Sequence, residues 1–212
     1  MKKILIIVVS LFFTFSNYAQ ENNPLVNRKQ ISPRLNLSIS PFIEYVKVAG
    51  NYNIAGGVSL LAEINDKFYY GVYFTKKLQK DYISFVNVNE DLNFSYQHLG
   101  LTVGGFVNLG IYKDEGRYIK RKTRLVYSGN FGGGVFWTKN NEDVKQSSRD
   151  YLYVLQPSVG AMREMGKFIS LEAGLKYPIA FKVNGEWEAL DITNKDFTGP
   201  AVYLAFKYSL FR

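Results

Sequence analysis

The chain of 212 residues contains no cysteine. That excludes a disulfide framework, a thiolate metal site and a lipoprotein anchored through a cysteine behind its leader. It has one histidine, His98, and a lone imidazole does general-base work only where a nucleophile and an orienting acid are brought to it. After the first 15 residues no apolar run approaches the roughly 20 residues of a membrane-spanning helix, and no convincing helical periodicity appears. Any crossing of a bilayer by this chain must therefore be made by a closed barrel.

What is present begins with an address. Met1, Lys2 and Lys3 form a positive start, Ile4 to Phe15 an apolar run, and Ser16 to Gln20 a polar end with Ala19 as the expected last residue removed. Residues 1–19 thus read as a secretory signal peptide, although Asn17 stands where a small residue is usual. Their removal lowers the net charge from +8 to +6, leaving a basic chain rich in Tyr and Phe, 16 of each. Residues 20–33 read as a polar, flexible lead-in, and 34–212 as one domain.

Within that domain apolar residues recur with period two in eight segments, at about 34–48, 53–64, 67–78, 94–110, 123–138, 151–163, 168–181 and 201–212. The last places Val202, Leu204, Phe206, Tyr208 and Leu210 on one face, so the end of the chain is expected to be tied into a sheet. Connections at 65–67 and 164–167 are tight, whereas 79–92, 139–150 and 182–196 are long and polar. Short turns on one rim and long loops on the other are how outer-membrane barrels are built. The segments 49–53, short where a long loop is expected, and 113–122, long where a short turn is expected, fit that alternation less well.

The less apolar face decides between a barrel in lipid and one in water. It reads Asn36, Ser38, Ser40; Ala55, Gly57, Ser59; Gly100, Thr102, Gly104; Ser158, Gly160. These residues are too small and too little charged for a water-facing surface, and they suit the narrow lumen of a barrel of about eight strands. The few ionisable groups on that face, Glu63, Glu172, Lys176 and Lys207 with His98 beside them, are expected to form a polar network, paired with one another or with water. Pro157 lacks the N–H that a ladder requires, which predicts a bulge or an end of pairing there.

With the leader, the eight alternating segments, the unequal loops and the patterned final strand in view, residues 34–212 resemble the small bacterial outer-membrane β-barrels of the OmpA, OmpX and OmpW kind. The resemblance implies an all-β, closed antiparallel transmembrane barrel of about eight strands in meander order. It also implies residence in the outer membrane of a Gram-negative-type bacterium, surrounded by lipid, and a final strand that closes on the first and is read by the barrel-assembly machinery. Arg212 holds the in-phase last place where those proteins carry an aromatic residue, and Phe211 lies one residue off.

No motif for chemistry emerges. The lipid A hydrolases among such barrels pair a His with a Ser two residues on, and here position 100 is Gly. Ser95 and Ser128 are the hydroxyls that folding could bring toward His98. "SGNFGGG" at 128–134 lacks the Lys-Ser/Thr of a phosphate loop, and "NVNEDLN" at 87–93 lacks the Gly and Glu of a calcium loop. The chain calls for no cofactor, no metal and no nucleic acid. The basic cluster Arg117, Lys120, Arg121, Lys122 and Arg124 could meet lipid head groups or simply solvate a turn. The expected function is a non-enzymatic outer-membrane protein with a side-chain-filled polar lumen and long loops for surface contact. The alternatives are a narrow pore or carrier and a secreted soluble lipid-binding barrel.

Overall fold

A computed structural model describes residues 35–65, 67–78, 82–84, 91–110, 123–139, 149–181 and 193–210. The strands are β1 (Leu35–Val48), β2 (Asn51–Ile64), β3 (Phe68–Lys77), β4 (Tyr82–Ser84), β5 (Asp91–Gly110), β6 (Thr123–Lys139), β7 (Arg149–Glu164), β8 (Ile169–Lys176), β9 (Ile179–Phe181) and β10 (Ala201–Ser209). Eight of them close a barrel in the order β1-β2-β3-β5-β6-β7-β8-β10, every neighbour antiparallel, with β10 returning to β1. The short β4 and β9 extend the wall on β5 and β7. The all-β closed meander read from the alternation is the fold observed.

Closure follows from the chemistry of the strands. Every ladder N–H and C=O needs a partner, and a closed sheet leaves no edge. The side-chain alternation then has two destinations. Outward are Ile43, Leu60, Val72, Leu101, Val103, Leu175 and Phe206, each more than a third exposed. Inward are Asn36, Ser38, Ser40, Thr102, Gln156 and Ser170, all buried. The Leu and Val faces point out, which is the opposite of what a soluble lipid-binding barrel requires.

Two prolines mark the interruptions in the ladders. Pro157 pairs with Gly129 of β6 without a register shift, but on its other side β8 pairing stops at Ser158–Lys176 and resumes as β9 at Leu155–Ile179. The ladder on the β8–β9 side is interrupted at Pro157, as its missing N–H requires, and resumes in the same register without a bulge. Across the gap the Tyr177 N–H donates to the Pro157 carbonyl at 2.9 Å. Pro41 does the same on the closing seam, where β1 and β10 are in register at Ile39–Tyr208 and again at Phe42–Ala205, with no paired residues between. A register shift occurs at Asn108–Gly110.

The turn between β2 and β3 and that between β7 and β8 define one end of the barrel, here the turn end. The opposite, loop end carries a two-residue β1–β2 turn, Ala49-Gly50, in which both residues have positive φ (49° and 83°). That conformation matches the primed turns that tight hairpins favour, which explains how a connection can be short at the rim of long loops. The stretches at 85–90, 111–122, 140–148 and 182–192, as well as 1–34, lie outside the described residues.

Glycines set the inner diameter. Gly160 faces Gly174 across the β7–β8 ladder, and the ring of Tyr203 lies against both: an added Cβ would sit 2.6 Å from the Tyr203 hydroxyl at Gly160 and 2.8 Å from its ring at Gly174. Gly160→Val therefore forces the ring or the strand to move. A loss of about 1–3 kcal/mol, the usual range for overpacking, is expected in urea unfolding of the refolded barrel, while Gly129→Ala, where nothing lies within 4 Å, should change it little.

Candidate functional site in the barrel lumen

The inward face of the barrel is layered from one end to the other. Nearest the turn end, the buried Arg124 of β6 holds Glu164 of β7 at 3.0 Å and lies 5.3 Å from the centre of the Phe106 ring. Beside it Lys207 of β10 is ion-paired with Glu63 of β2, and the Ser38 hydroxyl donates to the same Glu63 oxygen at 3.4 Å. The Lys207 ammonium also lies 4.5 Å from the Phe106 ring centre. Each cation is therefore held by a carboxylate and an aromatic face, an arrangement that offsets part of its lost hydration.

The middle layer holds Glu172 of β8, which accepts a 2.6 Å hydrogen bond from the Tyr203 hydroxyl. It borders a cavity of about 50 Å³ whose wall includes Ser40, Thr102, Asn130 and Ser158. Above it Lys176 of β8 pairs with Glu44 of β1 at 2.9 Å and packs on the rings of Phe42 and Tyr203, at 4.4 and 4.7 Å from their centres. The Thr75 hydroxyl donates to the other Glu44 oxygen at 3.1 Å. His98 lies in the same region, 1 % exposed, with the Tyr73 hydroxyl 3.1 Å from its ring nitrogens and Tyr96 stacked nearby.

The loop end changes character. There Val46, Val48, Phe94, Phe136, Leu152 and Phe197 form a buried apolar cluster. Phe197 comes from a short 3₁₀ turn, Asn194–Phe197, capped by Thr193 and Asp196 in a reciprocal pair of hydrogen bonds. Its ring lies 5.1 Å from Phe136 and 6.0 Å from Tyr96, centre to centre. The turn is tied to the rim by the Gly50 N–H, which donates to the Asp196 carbonyl at 2.9 Å, and by the Lys47 ammonium, which donates to the Lys195 carbonyl at 3.0 Å. The connecting segment thus inserts a ring into the mouth of the barrel, where buried Asn53, Lys77 and Asp150 lie among the apolar side chains and the Lys77 ammonium donates to the Phe94 carbonyl at 3.2 Å.

The five lumen residues singled out in the sequence all face inward or border the cavity, but they do not form one network. Glu63 and Lys207 pair with each other, whereas Lys176 takes Glu44 and Glu172 takes Tyr203. Glu44 and Glu164, the carboxylates that hold Lys176 and Arg124, are ion-pair partners the sequence reading missed. Glu44 lies on the same parity as Asn36, Ser38 and Ser40, and Pro41-Phe42 interrupts the small polar pattern just before it. Of the basic cluster, Arg117, Lys120, Arg121 and Lys122 lie outside the described residues. Arg124 is 1 % exposed and points into the lumen, so the expectation of a head-group contact does not hold for it; a position two residues inside a strand, on lumen parity, is the signal that separates it from its neighbours.

No family model matches the chain, and no curated protein matches it. Its fold is similar to solved outer-membrane barrels. Neisserial surface protein A is 12 % identical over 82 % of this chain and 96 % of that one, with a TM-score of 0.56. The N-terminal β-barrel domain of Pseudomonas aeruginosa OprF is 8 % identical over 84 % and 100 %, with a TM-score of 0.55. Ail, the attachment invasion locus protein of Yersinia pestis, solved with the heparin analogue sucrose octasulfate, is 13 % identical over 85 % and 100 %, with a TM-score of 0.50. At these identities the likeness is one of fold, and it is the likeness to small outer-membrane barrels that the sequence led us to expect.

A buried ion pair that loses one partner leaves an uncompensated charge, whereas losing both need not. Lys207→Met and Glu63→Gln are each expected to destabilise the barrel by about 3–5 kcal/mol. The double variant should be markedly more stable than the sum of the two losses predicts, and urea unfolding of all four proteins in lipid vesicles measures the difference.

Proposed function

We propose that the mature chain is a non-enzymatic integral outer-membrane protein, exported by its signal peptide and inserted with its loop end outward. The observation that carries this reading is the outer surface. Along all eight strands the mid-strand outward positions are Leu, Val, Ile, Phe, Tyr, Ala or Gly, with Pro41 and Pro157; toward the loop end β5 turns the uncharged Ser95 and Gln97 outward, and the outward charges Lys47, Lys76 and Arg163 stand near strand ends. Rings gather toward the two rims: Tyr45 stacks on Tyr52 at 5.2 Å near the loop end, and Phe168 approaches Tyr208 at 6.3 Å near the turn end. An apolar band between aromatic girdles is what a bilayer selects and what water penalises.

The inner surface supports a closed rather than a conducting barrel. Three ion pairs and the Phe197 cluster occupy the lumen, leaving at its middle a cavity only a few waters in volume. A narrow pore or carrier would need a continuous gap past Glu63, Glu172 and Lys176, and this packing speaks against one. The burial of His98 beneath the apolar cluster likewise speaks against an enzyme, because no substrate reaches a ring that is 1 % exposed. What remains for interaction is the loop rim, and contact with other molecules at the cell surface is the role assigned to it in this reading.

The test is direct. In fractionated cells the protein is expected in the outer membrane, and unboiled samples should run on detergent gels apart from boiled ones. A soluble product with no such shift would contradict the proposal. In planar bilayers the folded protein should give no steady conductance.

A further inference from the structure

Three of the lumen cations are each matched to a carboxylate: Arg124 to Glu164, Lys176 to Glu44 and Lys207 to Glu63. Glu172 is left over. Among the described residues no cation lies within salt-bridge distance of it, and its one hydrogen bond comes from the Tyr203 hydroxyl, 2.6 Å away. A bare carboxylate in a barrel interior is costly, so its charge must be met or removed.

The surroundings of Glu172 indicate how. The cavity beside it, about 50 Å³ against roughly 10–15 Å³ for one water, is bordered by oxygen-bearing side chains from all eight barrel strands, among them Ser40 of β1, Thr102 of β5, Asn130 of β6 and Ser158 of β7, and also by Phe42, Leu61 and Lys176. Asn130 is 7 % exposed, and its side-chain carbonyl oxygen, buried at this wall, has no hydrogen-bond partner. An unmet amide oxygen, a carboxylate outside the three ion pairs and the hydroxyl-bearing residues around a space of this size, the Ser158 hydroxyl being shared with Ser128, form a set of hard oxygen donors.

We propose that the mid-lumen cavity binds one monovalent metal cation of sodium size, held by the Glu172 carboxylate and the Asn130 carbonyl oxygen, with hydroxyls and trapped water completing its shell. One carboxylate among neutral oxygens suits a single charge. A divalent ion would ask for more acidic ligands, and the Lys176 ammonium, which borders the same cavity and is paired with Glu44, repels a double charge twice as strongly as a single one.

The experiment compares equilibrium unfolding of the refolded full chain in sodium chloride and in N-methyl-D-glucamine chloride at equal ionic strength. Wild type is expected to gain stability saturably with sodium; at 100 times the dissociation constant the unfolding equilibrium constant should fall about 100-fold. Glu172→Gln should fold and lose the sodium dependence, and Asn130→Ala should keep it at weakened affinity. Sodium-23 relaxation in vesicles should be enhanced by wild type over the Glu172→Gln protein. If Glu172→Gln does not fold, Ser158→Ala takes its place and should shift the sodium midpoint upward. Equal stability in both salts, or a Glu172→Gln protein with undiminished sodium dependence, would overturn the proposal and leave a protonated Glu172 beside water.

Discussion

The structure depends on one seam. A meander of antiparallel strands leaves its first and last members with open edges, and in hydrocarbon an open edge is a row of unmet polar groups. Here β10 must find β1, and the ladder between them is interrupted at Pro41, which cannot donate. The lumen compensates on the inside. Lys207 of β10 reaches past β1 to Glu63 of β2, and Lys176 of β8 reaches past β10 to Glu44 of β1. Both ion pairs straddle the seam, and Lys207 itself stands in the unpaired stretch between Tyr208 and Ala205. Their value lies less in net stability, which buried pairs seldom supply, than in fixing which strands meet.

The interior is organised around those pairs. Rings fit beside the charges because glycines stand next to them on the neighbouring strands: Tyr203 lies over Gly174, its cross-strand partner, and Gly160 beyond it, and Tyr73 lies against its partner Gly100, which is paired with Gly132. Small residues on one strand make room for the large ring of the next, which lets side chains fill a barrel of this width. Toward the loop end rings and aliphatic side chains predominate around buried Lys77 and Asp150, and the Asn194–Phe197 turn supplies the last ring.

The barrel itself was legible in the sequence because its two solvents impose a strict period of two. Segment after segment, from Leu35–Leu37–Ile39 to Val202–Leu204–Phe206, the outward face was identified, and strand limits agree within a few residues. The pairing of charges was not legible. Parity shows that Glu63, Lys176 and Lys207 face inward, but partner choice depends on strand stagger, which sets the height of each residue; Lys176 therefore meets Glu44 of β1, 132 positions away in the chain. The Phe197 stopper was hidden for a different reason. A ring in a polar connection carries no periodic signal, and its role comes from the capping of one short turn by Thr193 and Asp196.

The claim on which all of this rests is that β1 and β10 close the barrel in one register. The chain is free of cysteine, so paired cysteines introduced into it report on that claim alone. Ile39 and Tyr208 are partners across the seam, while Val202 pairs with Tyr45 farther along it. Oxidation of protein folded in membranes should link Ile39→Cys with Tyr208→Cys and leave Ile39→Cys with Val202→Cys unlinked. An unlinked first pair, or equal linking of both, would contradict the closure described.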